Sequence, residues 1–225
     1  MIVVTALLAP VLGALWLTLF VAVRRRDVAA AVNASGATAL ALGSVALTLW
    51  LDVSSGALAC WVAVAGLLHS FGMLGPYDSI WWWDHLTHTV SAALVAALVH
   101  AALLAAVRAG LLSLSPAAVS VAVLVSVLIF GVFWELIEQV ARAVGERYEI
   151  EPVLVYYGWR DTALDLGFDV VGAVLVVALD VRLFVDLAAR FPETTFRALT
   201  WTVGIAVGGS VLLVLVLVVD DQHAA

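Results

Sequence analysis

The stretch DTALDLGFDVVGA, residues 161–173, decides how the chain is read. Asp161, Asp165 and Asp169 recur every fourth residue, so on a helix they form one acidic stripe. The residues between and after them (Ala163, Leu164, Leu166, Phe168, Val170, Val171, then AVLVVAL) have the character of a membrane span. On insertion scales a carboxylate at the centre of such a helix costs about 2.5–3.5 kcal/mol, so it faces a partner, water or a ligand.

The rest of the chain agrees with a membrane setting. Of its 225 residues, 65% are hydrophobic, against roughly 45–50% in soluble domains, and the mean hydropathy is +1.15. Several apolar runs reach the roughly 20 residues that a helix needs to cross a hydrocarbon layer of about 30 Å. The fold class read from this is all-α, a polytopic transmembrane bundle of about seven spans. A β-barrel would show short alternating segments instead.

The net charge is -7, all ten basic residues are arginine, and lysine is absent. This acidic, Lys-free, Ala- and Val-rich composition points to a GC-rich genome and a halophilic host. A retinal Schiff base requires lysine, which excludes a retinal pump. The single cysteine, Cys60, sits in an apolar run and reads as a small core residue. The N-terminus is apolar from residue 2, and its positive charges, Arg24, Arg25 and Arg26, follow the apolar run. That order marks a retained first span rather than a cleaved signal, with its end in the cytoplasm and the N-terminus outside.

The expected spans run from Ile2 to Val23, Val28 to Leu51, Ala57 to Leu74, Asp84 to Val107, Pro116 through FWELIEQVA, Thr162 to Val185 and Ala198 to Val219. DVSSG is read as a turn, GPYDSIWWW as an interfacial loop with its tryptophans at headgroup level, RAVGERYEIEPVLVYYGWRD as a polar connection and DDQHAA as a tail. Gly36, Gly43, Gly204, Gly208 and Gly209 read as sites of close helix approach, and GIAVG has the G-x-x-x-G spacing. No repeat or long linker divides the chain. One integral membrane domain over residues 1–225 is expected, with a motif-bearing core at about 67–174 and extra spans at 2–51 and 198–219.

Alternation of spans brings the ionisable ends of four helices to one side of the bilayer. His69 ends the third span, Asp84, His85 and His88 begin the fourth, Glu135, Glu138 and Gln139 end the fifth, and Asp161, Asp165 and Asp169 begin the sixth. Asp84 and His88 share a helical face, as do Glu135, Glu138 and Gln139, and Glu138 is spaced to pair with Arg142. A single polar pocket is expected there, with Asp84, His88, Glu135 and Asp165 as its core and as the catalytic and metal-ligating candidates. Glu138, Gln139, Arg160, Asp161, Asp169 and His69 are further ligand-binding candidates. His100 lies off the face of His88 and reads as a packing histidine. Asp180 and Asp186 read as partners of Arg182 or of solvent.

Such a set suits a divalent cation, Mg²⁺, Mn²⁺ or Zn²⁺. It equally suits a proton-exchanging acid near Arg160, or an ion-pair network in which Arg142 and Arg160 neutralise the acids and lock the bundle.

The segments WWWDHLTH, FWELIEQ and WRDTALDLGFDVVGA resemble the YjdF-type family of bacterial inner-membrane proteins. They are also similar to the VanZ-like family, onto whose pattern Asp84, His88, Glu135, Gln139, Arg160, Asp165 and Gly172 map. Asp169 stands where that family carries asparagine. The resemblance covers about Leu67 to Val174. It implies a plasma-membrane protein concerned with envelope lipids or precursors, since VanZ-like proteins are associated with glycopeptide resistance. VanZ-like topology places the motif outside, whereas the arginine triplet places it toward the cytoplasm.

The expected function is therefore binding or processing of a lipid-linked or amphipathic molecule in the bilayer, with a divalent ion as the implied cofactor. A proton- or cation-coupled permease and a structural membrane subunit are the alternatives. Nucleic acid is not an expected partner. The D-G-x-x-A-R and N-D-x-x-D elements of the lipid phosphotransferases and prenyltransferases are absent.

Overall fold

A computed structural model describes residues 2–52 and 56–224, with side chains described over 7–52 and 56–219. The order of elements is α1 (Ile2–Arg25), α2 (Val28–Trp50), α3 (Ala57–Gly72), α4 (Pro76–Ser79), α5 (Trp83–Arg108), α6 (Pro116–Tyr148), α7 (Trp159–Ala178), α8 (Val185–Ala188) and α9 (Pro192–Ala224). The polytopic helical reading holds.

Five of the seven expected spans stand out by length and composition, and α3 is a shorter apolar helix. Leu7–Arg25, Val28–Trp50, Trp83–Arg108, Pro116–Tyr148 and Pro192–Val219 are long and apolar enough to cross a membrane. Helix α3, at 16 residues, reaches only about 24 Å. Helix α7 has 20 residues, but Arg160, Asp161, Asp165 and Asp169 break its apolar character.

Boundaries move for local reasons. α6 continues through RAVGERY to Tyr148, where no proline interrupts it, and it ends where Glu149 adopts a left-handed conformation (φ 53°). α9 begins at Pro192, proline being favourable in a first turn. α7 begins at Trp159 and ends at Ala178, short of Val185. The expected interfacial loop contains the short helix α4, and α9 continues into the segment read as a tail. The centre of the expected DVSSG turn, residues 53–55, lies outside the described residues.

The chain divides into two compact units, residues 1–90 and 91–225, and α5 runs from the first into the second. In the first unit α1, α2 and α3 pack together around Leu15, Ala37, Ala41 and Ala63. The buried stripe of α2 consists of small residues, Ala29, Ala30, Ala34, Ala37, Thr38, Ala41, Ser44 and Thr48. Its hydroxyls donate back to carbonyls of their own helix, as Thr38 does to Ala34 at 2.7 Å, so they are buried without loss. The Trp61 indole donates to the Val90 carbonyl at 3.1 Å and fastens α3 to the start of α5.

In the second unit α6 packs against both α7 and α9. Gly209 makes the close approach on α9, since a Cβ there would lie 2.6 Å from the Phe133 ring. At Gly204, Gly208, Gly36 and Gly43 a Cβ would meet nothing within 4 Å, so those four expected contacts are not made among the described residues. Most of α9 carries exposed apolar side chains such as Trp201, Ile205, Leu212 and Leu215, as a lipid-facing helix does.

Candidate functional site

In the first unit the site is built around the start of α5. The Trp83 indole donates to the Leu68 carbonyl at 3.0 Å and its ring lies 5.6 Å from that of Phe71, which pins the helix start to the end of α3. Asp84 occupies the first turn, where a negative charge is favoured by the helix dipole. One turn on, His88 Nε2 lies 3.7 Å from Asp84 Oδ1, with the two side chains 13% and 22% exposed. The expected pairing on one face is present.

His69 is held by residues outside the expected set. Its Nδ1 lies 2.9 Å from the Tyr77 hydroxyl and its Nε2 lies 3.0 Å from Asn33 Oδ1. The Asn33 amide nitrogen donates to the Ala29 carbonyl at 2.9 Å, so its oxygen is the atom turned to His69. Nε2 therefore donates to Asn33, and Nδ1 accepts from Tyr77, as a neutral ring does. Gly72 makes room for this, because a Cβ there would lie 2.5 Å from the Tyr77 ring and 2.9 Å from Trp83 Nε1.

The second unit has buried candidate acids of its own. Glu135 of α6 (4% exposed) and Asp165 and Asp169 of α7 (2% and 6%) are buried. On α7 they share the buried face with Gly172, Ala173 and Val176, so the acidic stripe points inward. Gly131, one turn before Glu135, opens a notch for Asp169. A Cβ there would lie 2.5 Å from Asp169 Oδ2 and 2.9 Å from Leu166 Cδ2. The Thr162 hydroxyl, three residues before Asp165, is buried without a hydrogen-bond partner among the described residues.

The remaining expected residues are placed differently from one another. Glu138 accepts from the Trp134 indole at 2.8 Å. Its expected pairing with Arg142 is not made, because Arg142 Nε donates to Glu146 at 2.8 Å and its guanidinium lies over the Tyr156 ring. Arg160 is exposed and lies over the Trp159 ring. Neither arginine takes up the neutralising position expected of it. Gln139 and Asp161 are half-buried. His100 is buried and donates from Nδ1 to the Val181 carbonyl at 3.2 Å, a packing role as expected. Asp180 pairs with Arg182 at 2.7 Å. That hydrogen bond holds its carboxyl below the ordinary range.

Sequence reading missed Asn33, Tyr77, Gly72, Gly131 and Thr162. Asn33 was open to notice as the only asparagine in the chain, placed within an apolar run. The two glycines carried no local signal, because their role is defined by the residues opposite.

Among known proteins, a family model described as "Predicted membrane protein (DUF2238)" matches residues 4–186. No curated protein and no solved structure matches the chain.

Proposed function

The chain belongs to the family of predicted membrane proteins DUF2238, and on that premise we propose that it binds a divalent cation and, with it, a lipid-linked or amphipathic molecule. In this reading Asp84, His88, Glu135 and Asp165 hold the ion. Asp169, Asp161, Glu138, Gln139 and Arg160 serve the ligand, and His69, engaged at both ring nitrogens, shapes the wall.

The observation that carries the reading is the burial of Glu135, Asp165 and Asp169 on two packed helices, α6 and α7. Each such carboxylate costs about 2.5–3.5 kcal/mol on insertion scales, and like charges in one interface raise the cost further. The arginines that would otherwise compensate are engaged with Glu146 and Trp159. A divalent ion offsets this charge, and the buried Thr162 hydroxyl suits a polar occupant. Carboxylate oxygens with one imidazole fit Mg²⁺ or Mn²⁺, and Zn²⁺ in a smaller ligand set.

A bound ion of this kind supplies polarisation of a phosphoryl or ester oxygen, or a more acidic water. The chain's own contribution is orientation: Asp84 steadies the His88 ring across 3.7 Å, and Gly131 sets how closely Asp169 approaches α6. The motif order that resembles the YjdF-type and VanZ-like families supports an envelope-lipid context in the plasma membrane, and the acidic, lysine-free composition supports a halophilic host, with the whole chain acting as one membrane domain. In the first unit Arg25 donates to the Leu74 carbonyl at 3.3 Å, so the arginine triplet lies at the end where α5 begins. By the positive-inside rule this supports a cytoplasmic position for Asp84 and His88 and an external N-terminus.

Isothermal titration of the purified chain with Mn²⁺, Mg²⁺ and Zn²⁺ tests the reading. Wild type binds an ion, and Asp165→Asn and His88→Ala each weaken binding by at least tenfold. Absence of binding at millimolar supply, with both variants as stable as wild type, rejects it. Cation flux into liposomes that is lost in Asp165→Asn would make the chain a permease instead.

A further inference from the structure

The link between α1 and α2 presents three guanidinium groups together. Arg24 and Arg25 end α1, and Arg26 follows with a left-handed backbone (φ 59°). All three are exposed. The adjacent acid, Asp27, is engaged as the N-cap of α2, its Oδ1 accepting from the Ala30 amide at 2.8 Å, and offsets one of the three charges. Among the described residues no carboxylate pairs with Arg24 or Arg26, whereas Arg142 and Arg182 each have one. A chain with a net charge of -7 thus keeps a local cationic excess in this link, three arginines against one acid.

A second feature lies at the same end of the first unit. The Arg25 hydrogen bond to Leu74 ties the arginine link to the turn that leads through α4 to Trp81 and Trp82, which are 82% and 43% exposed. Behind them Trp83 is fixed to Leu68 and Phe71, so the exposed rings stand on a rigid base. Tryptophan favours the headgroup layer of a bilayer, and arginine pairs with phosphate through its planar fork of donors.

The geometry points to a docking surface for anionic phospholipid headgroups, with Arg24 and Arg26 pairing lipid phosphates and Trp81 and Trp82 lying in the headgroup layer beside them. The occupant is a lipid already in the leaflet. The charge is complementary to it, and the flanking rings match its depth. The proposal does not depend on the cation reading.

Native mass spectrometry of the full chain in detergent, titrated with phosphatidylglycerol or phosphatidylcholine, tests it. Wild type prefers phosphatidylglycerol, and 0.5 M salt weakens the preference. A basic residue near an anionic surface contributes about fivefold in affinity, so Arg24→Gln and Arg26→Gln each lower the preference by about that factor and the double variant by roughly 25-fold. Arg182→Gln, at an exposed arginine already paired with Asp180, leaves it unchanged. Equal binding of the two lipids by wild type, a double variant that keeps its preference, or complete displacement of the lipid by millimolar inorganic phosphate overturns the proposal.

Discussion

Replacing Gly131 with alanine isolates the contact that seats Asp169 against α6. The added methyl group would lie 2.5 Å from Asp169 Oδ2 and 2.9 Å from Leu166 Cδ2, so the carboxylate must retreat by about 1 Å to reach ordinary contact distance. Both atoms belong to α7, so either Asp169 leaves its rotamer or α7 shifts on α6. Overpacking of this kind costs about 1–3 kcal/mol. The gain in helix propensity from glycine to alanine, about 1 kcal/mol, offsets part of that. The net expectation is a loss of up to about 2 kcal/mol. Gly167 on α7 provides the control, because a Cβ there meets nothing within 4 Å. Gly167→Ala should therefore be neutral or stabilising by up to about 1 kcal/mol. Thermal unfolding of the two variants in the same detergent reads the difference in sign. If Gly131→Ala melts at or above the wild-type temperature, the close approach of Asp169 is not a constraint and the reasoning fails.

Two further outcomes follow from the hydrogen bonds. Tyr77→Phe removes the hydroxyl that donates to His69 Nδ1 and leaves that nitrogen unsatisfied, for a loss of about 1–3 kcal/mol. Because Asn33 holds the same ring from its other side, Asn33→Ala and Tyr77→Phe should be non-additive by about 0.5–3 kcal/mol in a double-mutant cycle, and strict additivity would show that His69 does not couple them. Arg182 lowers the Asp180 pKa, so the pair's contribution is present above the unfolded carboxylate pKa and is lost as pH falls through the folded one. The pair is exposed, and asparagine tolerates the left-handed backbone of Asp180 (φ 48°). Asp180→Asn should therefore leave the melting temperature at pH 7 unchanged, and a clear drop would mean that the exposed pair is worth more than screening allows.

The amino-acid sequence by itself determined the membrane class, the starts of α2, α5 and α6, and the acidic stripe of α7. Each of these follows from properties local to one helix: apolar length, a capping Asp27, Pro116 in a first turn, and repetition every fourth residue. It did not determine which of two equally spaced partners a side chain takes. Arg142 has Glu138 four residues before it and Glu146 four residues after it. The choice of Glu146 goes with Trp134 holding Glu138 and Tyr156 lying beneath the guanidinium. Only the tertiary structure assigned His69 to Asn33 and Tyr77, or distinguished Gly131 and Gly209, which face Asp169 and Phe133, from Gly204 and Gly208, which face open space. The periodicity of a helix fixes which residues share a face. What that face meets is decided by packing against other helices, and a glycine's role resides in the atoms opposite it.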